Sequence, residues 1–332
     1  MRKCLSYDDV LLVPQYSDIK SRSEVNLENR LGNTSFPLPV ISSPMDTITE
    51  TEMALAMNDA GGLGIIHRYC SIAEQIGFVS YENVRAAAIG VTGDYLERAS
   101  ALYGAGIRIF CLDIAHGDHF LMRDAIENLK KEYGAEIHLM AGNVACRNAY
   151  ERLSDWGADS VRVGLGGGSI CSTRIHTGHG MPVFQSILDC ARADLNTTII
   201  ADGGIRTAGD IVKALAAGAD FVMLGSLLAG TAETPGESFV NKRGKKYKVY
   251  RGMASKAAQK DWRGTYSSNE GISTTVACKG SVAGVLEELE NGIRSGLSYS
   301  GARTIYALQF KAQFIKQTPA GQVESSTHIL RR

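Results

Sequence analysis

Nowhere does the 332-residue chain hold an apolar run close to the ~20 residues that cross a bilayer, so no membrane partner is expected. Neither charge is in excess. Lys+Arg and Asp+Glu stand at 35 each, and a formal net charge of zero argues against nucleic acid or an anionic surface as the main partner. The seven cysteines, at 4, 70, 111, 146, 171, 190 and 278, are odd in number and form no CxxC pair. That spacing suits neither a disulfide framework nor a zinc site, and a reducing cytoplasm is the expected setting. The first nine residues lack a long apolar region, so no signal peptide is expected. His116/His119 and His176/His179 have three-residue spacing but no HExxH pattern, which speaks against zinc. Gly164-Leu165-Gly166-Gly167-Gly168 lacks both the Rossmann spacing and the acidic residue about 20 positions on.

What is present is a rhythm. Short, β-branched apolar runs recur at Pro39–Ser43, Gly64–His67, Ala87–Val91 and Ile109–Ile114, then at Ile137–Ala141, Ser160–Leu165, Thr198–Ala201 and Phe221–Leu224. Helical apolar spacing fills the intervals, as at Glu50–Ala60, Phe120–Glu132, Arg147–Trp156 and Gly209–Ala217. Two intervals end in Gly-Ala-Asp, where glycine suits a helix C-terminus. Eight βα units predict an α/β fold, a (β/α)8 TIM barrel, rather than an open doubly wound sheet. The expected organisation is a single catalytic domain over 1–332, with an N-terminal arm at 1–36. Residues 231–280 break the rhythm and read as a flap or binding insertion whose Lys242–Lys246 stretch is a solvated, hairpin-like turn.

In a barrel, the polar residues after each strand share one rim. Cys171 lies there, in a glycine-rich loop with Ser169, Ser172 and Thr173, and can be a nucleophile or one more buried small residue. Asp202-Gly203-Gly204 and Gly225-Ser226 follow the seventh and eighth strands, where barrels often hold a phosphate, and Ser169 could add a hydroxyl. A carboxylate repels phosphate, so Asp202 suits a sugar hydroxyl, and together they imply a nucleotide. Asp113 could hold a second ribose or a nicotinamide amide, or serve as a helix cap. Carbonyls at Gly166, Gly168 and Cys171 could bind a monovalent cation.

Gly-Gly-Gly-Ser-Ile-Cys-Ser-Thr-Arg at 166–174, Ala-Asp-Gly-Gly-Ile-Arg at 201–206 and Val-Met-Leu-Gly-Ser-Leu-Leu-Ala-Gly at 222–230 resemble the IMP dehydrogenase/GMP reductase family. The resemblance runs nearly end to end, through Tyr7–Leu12, Ser21–Val25, Ser43–Asp46 and Tyr250–Met253. No stretch is long enough for the CBS-domain pair usual in the dehydrogenases, and the flap, Lys260 to Ser273, lacks their Arg-Tyr pair. Asn269-Glu270-Gly271 is similar to the reductases, although Ser42-Ser43-Pro44-Met45-Asp46 and Asp202-Gly203-Gly204-Ile205-Arg206 read more like dehydrogenases, the latter shared by some bacterial reductases, and Ser267 stands where animal-type reductases carry arginine.

The resemblance implies an NADPH-dependent GMP reductase that converts GMP to IMP and ammonia through a thioimidate on Cys171, with Thr173 and Glu270 moving protons. It places GMP at Ser169, Asp202, Gly203, Gly204, Gly225, Ser226, Gly252, Met253, Ala254, Glu270 and Gly271. It places NADPH at Ser21, Arg22, Arg68, Asp113, Ile114, Ala115, Leu165, Gly166 and Ser295, Gly296, Leu297, Ser298, with Ser21 and Arg22 reaching a neighbouring subunit. Potassium (K+) would sit at Gly166, Gly168, Cys171 and Arg174, and the assembly would be a homotetramer. The rival readings are an IMP dehydrogenase using NAD and a nucleotide-binding barrel without activity.

Overall fold

The computed structural model describes residues 1–267, 269–325 and 327. The two Gly-Ala-Asp triplets show how local sequence builds its architecture. Gly157 (φ +105°) and Gly218 (φ +111°) turn the chain out of a helix in a region that a Cβ disfavours. Ala158 and Ala219 are buried behind them. Each aspartate then reaches back to the neighbouring strand, Asp159 accepting from Leu139 N at 2.6 Å and Asp220 from Ile199 N at 2.8 Å. Three residues thus end a helix, start a strand and set its register.

Eight such strands close a parallel barrel. In order they are Val40–Ser42, Leu63–Ile66, Ala86–Ile89, Ile109–Asp113, His138–Val144, Ser160–Val163, Thr198–Asp202 and Phe221–Leu224. The fifth runs beyond its expected end at Ala141. Gly142 and Asn143 stay beside the sixth strand, with a register shift between Gly142 and Val144. Ile41, Ile65, Ala88, Met140, Ile200 and Met223 belong to one buried cluster, and the Ile and Met side chains contribute about 1.5–3 kcal/mol each on burial. The helices Thr51–Asp59, Phe120–Tyr133, Arg147–Asp155 and Ala208–Ala216 lie within a residue of expectation. The last wall helix, Val282–Tyr299, is capped by Ser281, whose Oγ accepts from Ala283 N.

The N-terminal arm is tied down. Val10–Leu12 pairs antiparallel with Phe314–Lys316, a hairpin joins Asn29–Leu31 to Thr34–Phe36, and Tyr7, Val25, Leu27 and Phe36 are buried. The insertion holds more structure than a loop: a three-stranded antiparallel sheet of Phe239–Val240, Lys246–Arg251 and Ser273–Ala277, with a helix at Lys256–Arg263. The lysine-rich stretch is the sheet's exposed turn. Among the described residues no helix is long and apolar enough to cross a membrane.

Candidate active site

The cysteine loop leaves the barrel through Gly164, where a Cβ would stand 1.9 Å from the carbonyl oxygen of Asp202, so only glycine fits there. Beyond it, the backbone around Cys171 pairs with the flap. Ile272 N donates to Ile170 O at 3.0 Å, and Ser172 N donates to Glu270 O at 2.9 Å. These bonds carry Glu270 to Thr173 across 97 residues of sequence. Cys171 Sγ donates to Thr173 Oγ1 at 3.2 Å, and Thr173 Oγ1 donates to Glu270 Oε2 at 2.9 Å. Thiol, hydroxyl and carboxylate stand in file. A hydroxyl both accepts and donates, so the file can move a proton between sulfur and carboxylate. Cys111, by contrast, is fully buried, and burial pushes its thiol up to about 11. Cys171 is half-buried and lines the cavity.

That cavity, of about 490 Å³, opens at the C-terminal rim of the barrel. In its lining, Arg162 Nη1 donates to Asp113 Oδ1 at 2.7 Å, and its Nη2 and Nε donate to Asp202 Oδ2 at 3.0 and 3.2 Å. Asn143 Nδ2 adds a bond to the same Asp202 oxygen at 2.8 Å. Tyr69 Oη donates to Asp113 Oδ2 at 3.1 Å. Burial alone would raise the Asp113 carboxyl, but the Arg162 and Arg68 charges outweigh it and hold the group below its ordinary value. Burial likewise works against the Arg162 charge, yet Cys111, Asp113 and Asp202 together raise it well above the ordinary range.

Above this layer, Tyr69 and Trp262 meet edge to face at 5.3 Å, and the Arg68 guanidinium lies 4.7 Å from the Tyr69 ring centre. Trp262 Nε1 is buried without a partner among the described residues, a donor that a ligand can satisfy. On the opposite side, Gly203 takes φ +101° against the cysteine loop, and a Cβ there would crowd Gly168 N at 3.1 Å. Among the described residues the backbone N–H groups of Gly203, Gly204, Gly225 and Ser226 have no protein acceptor, which leaves them for an anion. Arg251 ties the insertion to the rim by pairing with Asp46 at 2.6 Å and with Asp261.

All eleven residues expected to hold GMP line this cavity, as do Cys171, Thr173, Arg68, Asp113, Ile114, Ala115, Leu165, Gly166 and Gly168. Arg174 does not; its Nη2 donates to Met181 O at 2.6 Å. Ser21, Arg22 and Ser295–Ser298 are not brought to it either. Ser295–Ser298 belong to Val282–Tyr299, which packs on Ala208–Ala216 on the outer wall, where Ser295 and Gly296 line a second cavity of about 410 Å³. Sequence reading passed over Tyr69, Arg162 and Trp262. Arg162 alone carried a signal, as a charged residue inside an otherwise apolar strand.

Known proteins share the sequence pattern and the fold. The family model described as IMP dehydrogenase / GMP reductase domain matches residues 4–328. An inosine-5'-monophosphate dehydrogenase of Nitrosopumilus maritimus is 34% identical, with 98% of each chain covered. A GMP reductase of Leishmania major is 32% identical, covering 98% of this chain and 96% of its own. The first alignment spans 467 positions against 332 residues here, so at least 135 belong to the relative alone. A crystal structure of a Trypanosoma brucei GMP reductase in complex with guanosine 5'-monophosphate superposes with a TM-score of 0.94 at 31% identity, covering 99% of this chain and 98% of that one. The chain belongs to the IMP dehydrogenase / GMP reductase family of oxidoreductases.

Proposed function

We propose that the protein is a GMP reductase, which removes the 2-amino group of GMP as ammonia and places a hydride at C2 to yield IMP. The observation that carries this reading is the file from Cys171 through Thr173 to Glu270. The connection from the helix Lys256–Arg263 to Glu270 is only residues 264–269 and lacks the Arg-Tyr pair that the dehydrogenases use to activate water.

The thiol proton passes through Thr173 to Glu270, and the thiolate attacks C2 of the purine. Glu270, through Thr173, returns a proton to the departing amine, the C2–N bond breaks, and ammonia leaves. A thioimidate remains on Cys171. After hydride addition at C2, the C2–S bond breaks, and the thiolate regains a proton as IMP departs.

The free N–H groups at Gly203, Gly204, Gly225 and Ser226 suit the 5'-phosphate. Asp202 Oδ1, which accepts no bond among the described residues, suits a ribose hydroxyl. The aromatic wall and unpartnered Trp262 Nε1 fit a flat ring bearing an amide. Arg68, Asp113, Ile114, Ala115, Leu165 and Gly166 would hold NADPH, which supplies the hydride when bound. Carbonyl oxygens have two lone pairs, so those of Gly166, Gly168, Cys171 and Arg174 suit a monovalent cation such as potassium. Gly168 O spends one on Cys171 N and Arg174 O one on Gly178 N.

Absorbance at 340 nm tests the reading. It falls with GMP plus NADPH and stays flat with IMP plus NAD; a rise in the second mixture alone makes the protein a dehydrogenase. No change in either, with GMP bound, makes it a barrel without activity. Cys171→Ala abolishes turnover and leaves GMP affinity within about threefold, since only the covalent step is lost.

A further inference from the structure

Among the described residues Arg162 is the one that touches both carboxylates of the cavity floor, and its residue exposure is 7%. Four of its five N–H donors are used within the protein. Nη1 serves Asp113 Oδ1 and Cys111 Sγ, and Nη2 and Nε serve Asp202 Oδ2. Such a fork ties the rotation of one acid to that of the other, which a point charge does not. At Asp202 the fork and Asn143 Nδ2 occupy Oδ2 and leave Oδ1 open to a ligand hydroxyl. At Asp113 the fork holds Oδ1 while Tyr69 holds Oδ2.

Taking from the preceding section that Asp202 faces the nucleotide sugar and Asp113 the dinucleotide, the two ligands sit at opposite ends of one guanidinium. We propose that Arg162 is a positioning residue that couples the two sites, so that either ligand, by fixing its own carboxylate, orders the other carboxylate for its partner. The coupling needs no movement of the barrel. Ordering Asp202 against Arg162 removes freedom from the same side chain that orients Asp113, so the second ligand meets a site already arranged. Linkage requires the effect to be reciprocal.

Calorimetric titration tests this without turnover. GMP is titrated alone and then with saturating NADP+, the oxidised cofactor, which cannot donate hydride. The parent protein is expected to bind GMP about fivefold or more tightly in the presence of NADP+, with the same factor when the order is exchanged. In Arg162→Lys, where an ammonium cannot fork between two acids, the factor is expected to fall to within about twofold of unity. Asp113→Asn breaks the bridge from its other end and is expected to lose the same factor, which keeps the test open should the lysine variant not fold. A parent factor near one, or a factor retained in the variants that fold, overturns the coupling. If the parent oxidises IMP with NAD+ and does not bind GMP, the proposed function fails, while the factor measured with IMP and NADH, a pair that cannot exchange a hydride, still decides the role of Arg162.

Discussion

Cys171 and Cys111 differ in what surrounds the sulfur. Cys111 Sγ is held inside the barrel, accepting from Arg162 Nη1 at 3.3 Å, and burial raises its thiol to about 11, so it stays protonated. Cys171 opens to the cavity and has a route for its proton through Thr173. Glu270 is therefore the residue whose loss separates chemistry from binding. Glu270→Gln still accepts the Thr173 hydroxyl through its amide oxygen but takes no proton. It is expected to lower kcat about 10²-fold or more, the usual contribution of a positioned acid–base group, with GMP affinity within about threefold. Single-turnover kinetics with GMP and NADPH measure it, and a loss smaller than tenfold would remove Glu270 from the proton path. Glu270 was legible from Asn-Glu-Gly in the flap. Its hydrogen bond to Thr173 was not, because two backbone bonds between distant segments create it.

The barrel strands were readable because both of their faces are buried, which leaves β-branched runs without polar alternation. The sheet over the rim was not. Ser273–Ala277 reads Ser-Thr-Thr-Val-Ala, is mostly exposed, and is recognisable as a strand only from its pairing with Lys246–Arg251. Arg162 was visible as an oddity, but its partners Asp113 and Asp202 lie 49 and 40 residues away and meet it only once the barrel closes.

The Gly-Ala-Asp triplet, readable as a turn, has an energetic consequence at its second copy. Burial raises the Asp220 carboxyl to about 6, opposed only in part by its bonds to Ile199 and Asn29. A folded pKa above the unfolded value means that folding favours the protonated acid. That stabilisation is complete below about pH 4 and is lost as pH rises through about 6. Asp220→Asn keeps an acceptor for Ile199 N and carries no charge. It is expected to be more stable than the parent at pH 7.5 by on the order of 2 kcal/mol, or about 4 °C in thermal midpoint. The difference should vanish by pH 4, and an equal shift at both pH values would show that Asp220 ionisation is not its source.

At the scale of the whole molecule, the cavity and the outer wall do not share a surface within one chain. Ser21 and Arg22 begin a short helical turn that packs on Val282–Tyr299, the helix that carries Ser295–Ser298, and none of these residues lines the rim cavity. Tyr16, Tyr299, Tyr306 and Phe310 are exposed, a large apolar display for a monomer. If these residues contact the proposed cofactor, they do so from a neighbouring copy in a closed assembly such as a tetramer, each chain offering its wall to the next rim. Two variants check this in one experiment. Cys171→Ala lacks the proposed nucleophile but has an intact wall, whereas Arg22→Glu has an intact rim and is expected to raise the KM for NADPH about tenfold or more. Refolded together in equal amounts and assayed at low NADPH, they are expected to recover about one quarter of the parent rate, because random pairing sets an intact rim beside an intact wall at that frequency. Recovery no greater than the sum of the separate variants would confine the cofactor contacts to a single chain. Full activity of Arg22→Glu alone would remove that residue from the cofactor site.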